Sequence, residues 1–236
     1  MNTPDGKIRS FFLQGPAGRL EAILNTGEPG ATHAALVCHP HPLYSGTMHN
    51  KVVFHVMKAL NGFGFPVLRF NFRGAGLSEG QHDSGRGEVE DVRTALDWLD
   101  SEFHLPLISA GFSFGAAVGM KAACPDPRVQ ALIMLGTPIH ITAEQAAQAG
   151  GPAEARSYRF RHLQDCPKPK LLVSGANDSY SGRLAMEELA ASLPEPKHLE
   201  LIENTGHFFE DHLTEMREAI EQWVRNTVEL QQKSET

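Results

Sequence analysis

The sequence predicts an α/β fold: a mostly parallel sheet of about eight strands, opened by an N-terminal antiparallel hairpin and covered by helices on both faces. Three observations predict it. Short continuous apolar runs, Ala34–Cys38 and Val129–Leu135 among them, suit strands covered on both faces. Segments with helical apolar spacing alternate with those runs, which is the rhythm of strand–helix–strand units. The stretch Leu107–Ala117 reads as a buried strand, an abrupt turn and a helix, with Gly111-Phe-Ser113-Phe-Gly115 at the turn. A sharp turn of that kind leaves no room for β-carbons where strand and helix meet, which accounts for the two glycines.

Taken in order, Phe11–Leu13 and Arg19–Leu24 flank Gln14–Gly18, a hairpin signature. The Ala34–Cys38 strand ends at His39-Pro-His41-Pro42, which cannot continue a central strand. Asn50–Leu60 is predicted helical from Val52, Val53, Val56, Met57 and Leu60, with Asn50 as cap and Gly62 as stop. Phe65–Phe70 is the next strand and Asn71–Ser78 the loop leaving it. Gly87–Glu102 is a helix with Val89, Val92, Leu96 and Leu99 on one face, and Glu88, Glu90 and Asp91 at its positive end. Beyond the Ser113 turn, Lys170–Ser174 and His198–Ile202 read as strands. Gly182–Ser192 and Phe208–Val228 read as helices, the last with Phe209, Leu213, Met216, Ile220 and Trp223 as its buried stripe. Only 138–169 interrupts the rhythm. It is rich in Ala, Gln and Gly, carries a basic patch at Arg156, Arg159 and Arg161, and reads as a short cap or long loop within a single domain, 1–236.

The 236 residues suffice for one large core, and the net charge of −7 comes with no Lys/Arg cluster beyond that small patch. This balance excludes nucleic acid and anionic membrane surfaces as expected partners. The N-terminus is polar, with no signal peptide or membrane span. Cys38, Cys124 and Cys166, odd in number and irregular in spacing, read as reduced thiols of a cytoplasmic protein. Oligomeric state is not readable.

A serine needs a base to become a nucleophile, and the base needs an orienting acid. In an open parallel sheet such groups gather on loops at the carboxyl ends of the strands. The loop after Val129–Leu135, Gly136-Thr137-Pro138, offers no acid. The loop after Lys170–Ser174 offers Asp178, and that after His198–Ile202 offers His207. Ser113, Asp178 and His207 are therefore the expected catalytic residues, in the Ser, Asp, His chain order that goes with a G-x-S-x-G strand-to-helix turn. Asp165 is a rival acid inside the irregular segment, and His212 a poorer base because it falls within the last predicted helix. The alternative reading of Asp178 is a cap for the following helix. The oxyanion donors are expected to be the amide of Phe114 and one from the His39–Pro42 loop. Pro40 and Pro42 have no N–H, which leaves His41, with Leu43 as the alternative. A metal reading of His39, His41, His49 and His55 lacks a carboxylate at tight spacing, and Gly74-Ala-Gly76 lacks a nucleotide-binding pattern; no metal or cofactor is expected.

The chain resembles the α/β-hydrolase superfamily over nearly its whole length. It is most similar to a small cytosolic subgroup near the dienelactone hydrolases and serine aminopeptidase-like esterases. The resemblance rests on His39-Pro-His-Pro42, Gly46-Thr-Met48, Asn50-Lys-Val52, Asn71-Phe-Arg-Gly74 with Gly76 and Ser78, the turn Gly111–Gly115, and His207-Phe-Phe209. It implies hydrolysis of a small-molecule carboxylic ester without a cofactor. Thioester or amide hydrolysis on the same triad, or a binding protein that kept the fold without turnover, are the alternatives. Two departures stand out: Ser113 occupies a position that is cysteine in dienelactone hydrolases proper, and no Val-Pro pair follows Asp178. Arg73 is expected to be structural, holding loop carbonyls or a carboxylate such as Asp91.

Overall fold

A computed structural model describes residues 7–148 and 153–234; of Arg156 and of 228–234 it describes the backbone alone. The chain opens with strands β1 (Ile8–Gly15) and β2 (Gly18–Asn25), paired antiparallel around a turn at Pro16-Ala17. The hairpin is longer and its turn tighter than the apolar runs indicate, because Gly18 closes it at φ +119°, a conformation that L side chains rarely adopt.

Then follow β3 (Ala34–Cys38), α1 (Lys51–Asn61), β4 (Val67–Phe70), α2 (Gly87–Phe103), β5 (Leu107–Phe112), α3 (Phe114–Ala123) and β6 (Val129–Leu135). A two-stranded ribbon, β7 (His140–Ile141) with β8 (Arg156–Ser157), flanks the short helix α4 (Ala143–Gln148). The chain ends with β9 (Lys170–Gly175), α5 (Arg183–Ser192), β10 (Lys197–Ile202) and α6 (Leu213–Ser234). Thus 138–169 is not wholly irregular.

The eight-stranded sheet runs β1-β2-β4-β3-β5-β6-β9-β10, parallel from β4 to β10. Alternate strand residues enter opposite cores. Leu36 and Cys38 of β3 face α2 and α3, through Val92, Leu96, Ala116 and Met120; Ala35 and Val37 face α1 and α6, through Val53, Val56, Met216 and Ile220. This two-sided burial is why those strands read as unbroken apolar runs.

The predicted start of the last helix at Phe208 is corrected. The turn from 204 to 211 holds Asn204, Phe209 and Asp211 at positive φ, so the helix begins at Leu213 and His212 precedes it. Phe209 is fully buried, but from that turn rather than from the helix face.

The loops above β3 and β4 are tied by side chains. Asn71 Oδ1 accepts the Met48 N–H at 2.8 Å, and its Nδ2 donates to Glu21 at 2.7 Å. Ser78 donates to the Asn71 carbonyl at 2.6 Å. Arg73 makes a bidentate pair with the buried Asp91, Nη2 to Oδ1 at 2.7 Å and Nε to Oδ2 at 3.0 Å. The Asn-Phe-Arg-Gly segment is thus a clamp between the sheet and α2, and Arg73 has the structural role expected of it.

Candidate active site

The junction of β5 and α3 brings the site into being. Ser113 sits between them at φ 56° and ψ −120°, a strained conformation, and is only 8 % exposed. A β-carbon on Gly111 would lie 2.4 Å from the Gly115 carbonyl oxygen. One on Gly115 would lie 2.5 Å from the carbonyl oxygen of Cys38, at the end of β3. The first glycine therefore lets the turn close, and the second lets α3 touch the neighbouring strand. The Ser113 side chain is lifted away from the sheet at the positive end of α3.

The structure brings Ser113, His207 and Asp178 together. Ser113 Oγ lies 3.0 Å from His207 Nε2, and His207 Nδ1 lies 2.8 Å from Asp178 Oδ2. A carboxylate can only accept, so Nδ1 carries the imidazole proton and Nε2 is left to accept from the serine hydroxyl. Asp178 Oδ1 accepts the Tyr180 N–H at 2.8 Å, which fixes the carboxylate plane. It does not cap α5, whose first residue follows Gly182. Asp165 is exposed in the segment between β8 and β9, and His212 pairs with Glu215 at 3.0 Å. The imidazole of His207 packs against Phe112 at 4.9 Å, Tyr180 at 4.5 Å and Phe208 at 5.1 Å between ring centroids. Gly136 lies under it: a β-carbon there would meet the ring at 3.2 Å.

His41 and Phe114 lie beside the serine. Phe114 is the first residue of α3, so its amide has no carbonyl one turn back to bond. His41 precedes a 3-10 turn, Pro42–Tyr44; its ring stacks on Tyr44 at 4.3 Å and packs on Phe114 at 4.7 Å. The Leu43 N–H is already donated to His41 Nδ1 at 3.2 Å. His39, by contrast, is wholly internal. Its Nδ1 donates to the Pro40 carbonyl at 2.6 Å and its Nε2 accepts the Phe72 N–H at 2.9 Å. Burial pushes its pKa down to about 4, against the smaller opposite effect of the Pro40 carbonyl. His39 is therefore a neutral strut between the loops above β3 and β4. Among the described residues no three His, Cys, Asp or Glu side chains are placed to hold a metal ion.

A cavity of about 340 Å³ opens over Ser113 and His207. Its walls come from the loop after β3 (His41, Tyr44), from the 138–169 segment (Ile141, Gln148, Tyr158) and from the acid and base loops (Tyr180, Phe208). No Lys, Arg, Asp or Glu is among its described lining. A larger groove, about 760 Å³, lies along β10 and α6 and contains none of Ser113, Asp178 and His207. Sequence reasoning missed Tyr44, Tyr158 and Tyr180 as pocket walls. The one available signal was adjacency: Tyr180 stands two residues after Asp178.

A mostly parallel eight-stranded sheet with a serine at a strained strand–helix turn, hydrogen-bonded to a histidine, defines a class, the serine hydrolases of α/β architecture. The chain belongs to the α/β-hydrolase superfamily. Residues 45–159 match the family described as serine aminopeptidase, S33. An uncharacterized protein of Rickettsia prowazekii is 34% identical over 224 residues, covering 91% of this chain and 87% of its own. The solved structure of an α/β serine hydrolase homologue from Coxiella burnetii is 32% identical, with a TM-score of 0.78 over 91% of this chain and 96% of that one. A Xanthomonas campestris member of the α/β serine hydrolases, without lid, is 31% identical, with a TM-score of 0.79 over 96% and 97% of the two chains. No helix among the described residues is long and apolar enough to cross a membrane.

Proposed function

We propose that this chain hydrolyses carboxylic esters of small to medium acyl groups through an acyl-enzyme on Ser113. The observation that carries the reading is the unbroken hydrogen-bonded series Ser113–His207–Asp178 beneath an uncharged cavity. His207 Nε2 takes the hydroxyl proton as Ser113 Oγ attacks the acyl carbon. Asp178 holds the imidazole tautomer and stabilises the imidazolium. The amides of Phe114 and His41 receive the oxyanion, aided by the helix end. His207 then gives its proton to the leaving alcohol. Water, deprotonated by the same nitrogen, releases the acid and restores the serine.

The chemistry of the lining favours esters over aminopeptidase substrates. A free α-ammonium calls for a carboxylate partner, and the described lining of the cavity offers none. We read the whole chain as one domain and 138–169 as a short cap, since Ile141, Gln148 and Tyr158 reach the cavity from it. The free thiols of Cys38, Cys124 and Cys166 support a reducing, cytoplasmic setting.

The test is a turnover screen over p-nitrophenyl esters from acetyl to decanoyl, matched thioesters and aminoacyl p-nitroanilides, run with wild type and Ser113→Ala. Esters of small to medium chain should be turned over fastest, and Ser113→Ala should lose a factor on the order of 10⁶ in kcat. Ester turnover at near wild-type rate by Ser113→Ala, or turnover of the anilides alone, would refute it.

A further inference from the structure

We propose that the catalytic cavity continues into a second, cationic subsite that receives an anionic group carried by the substrate at a distance from the scissile carbonyl. The inference rests on the ester-hydrolase reading above. A second cavity of about 520 Å³ adjoins the first, and Phe114 and Tyr158 line both. Phe114, the residue after Ser113, borders both cavities, and in this proposal a substrate bound at Ser113 extends past it.

The two cavities differ in charge. No Lys, Arg, Asp or Glu is among the described lining of the first, whereas Lys121 of α3 and Arg159 line the second, with Glu154 as the one carboxylate. Both cations are exposed, and among the described residues neither is ion-paired. Several arginines elsewhere are ion-paired: Arg9 with Glu102, Arg19 with Glu79, Arg73 with Asp91 and Arg128 with Asp97. What sets Lys121 and Arg159 apart is their place in a cavity that shares Phe114 and Tyr158 with the reaction cavity, in a chain of net charge −7. The floor is kept open by Gly85, at φ +84°, where a β-carbon would meet Val118 at 3.3 Å and Phe114 at 3.7 Å. An ester or thioester bearing a carboxylate or phosphate fits this arrangement: the uncharged part lies over Ser113 and the anion reaches Lys121 and Arg159.

Two substrate pairs test it and separate the sources of the anion. The first compares mono-p-nitrophenyl adipate and suberate with p-nitrophenyl esters of equal chain length, placing the anion on the acyl side. The second compares an acyl phosphopantetheine with the same acyl pantetheine, placing it on the leaving side. The readout is the ratio of kcat/KM, charged over neutral. The overall negative charge by itself drives that ratio below one. The subsite should raise it about three- to tenfold above one for at least one pair, the scale of two solvent-exposed ion pairs. The ratio should fall to one or below in Lys121→Ala/Arg159→Ala and in 0.5 M NaCl, since exposed pairs are screened. Ratios at or below one for both pairs in wild type, or a raised ratio that survives in the double variant, would overturn the subsite while leaving the esterase reading intact. Absence of hydrolysis of every neutral ester would instead remove that reading, and the subsite with it.

Discussion

Asp178 accepts from two directions at once, the Tyr180 amide on Oδ1 and His207 Nδ1 on Oδ2. Substituting Asn preserves the shape, but its amide can meet only one of those donors as an acceptor and turns an N–H on the other. In the reading proposed here the histidine is then left in the wrong tautomer, and Asp178→Asn should lower kcat on a neutral ester by a factor on the order of 10⁴ with KM little changed. Asp165→Asn, on an exposed side chain that is not among the hydrogen-bond partners of His207, should leave kcat near wild type. Steady-state kinetics of the two variants decide this; the reverse ranking would move the acid into the 138–169 segment. At this scale the sequence was most informative, because Ser113, Asp178 and His207 each follow a strand end that can be read locally. The aromatic wall was not legible. Tyr44, Tyr158 and Tyr180 come from three separate loops, and nothing in their spacing records that they converge.

The strand–helix turn works only if α3 can approach β3. Gly115 permits that contact, since a β-carbon there would press on the carbonyl oxygens of Cys38 and His39 at 2.5 and 2.6 Å. Both are backbone atoms and cannot swing aside. Gly115→Ala should therefore cost about 1–3 kcal/mol of stability, read as a lower urea midpoint, and should depress kcat by moving Phe114 relative to the His41 loop. An unchanged midpoint would show that the contact is slack. The glycines were legible as a tight turn, but the partner of Gly115 was not: the turn motif is local, while the neighbour it touches is fixed by strand order. The start of α6 failed for a related reason. The apolar period runs on from Phe209 to Trp223, yet the positive φ of Asn204, Phe209 and Asp211 shapes a turn that aims His207 before the helix can begin.

Over the whole molecule, internal histidines set a pH limit. His39 is fully buried and neutral, with its pKa lowered to about 4 from 6.5 by burial, and burial also lowers that of His162 to about 4. Each takes up a proton more readily unfolded than folded. Their stabilising contribution is present above pH 6.5 and is lost as pH falls towards 4. Glu88 adds a second stage. Burial opposes its ionisation, but the His82 imidazole 2.7 Å away and the Asp83 amide outweigh that and hold its pKa at about 2, so its contribution fades below pH 4.5. Urea midpoints should decline from pH 6.5 downwards, and more shallowly between 6.5 and 4 in His39→Gln. A flat midpoint across that range would contradict the strut role of His39. The two-sided sheet itself was legible, since burial on both faces writes apolar runs into β3, β5 and β6. The fully buried Lys170, whose ammonium donates to the Pro194 carbonyl at 2.9 Å, carried no such signature.

The proposed function turns on Ser113 as a nucleophile activated by His207. Its most direct measurement is incubation with a fluorophosphonate followed by intact-mass and peptide analysis. One adduct per chain is expected, located on Ser113, formed rapidly in wild type, and absent or slowed by orders of magnitude in His207→Ala. No adduct on the folded wild-type protein, or an adduct on another serine, would contradict it.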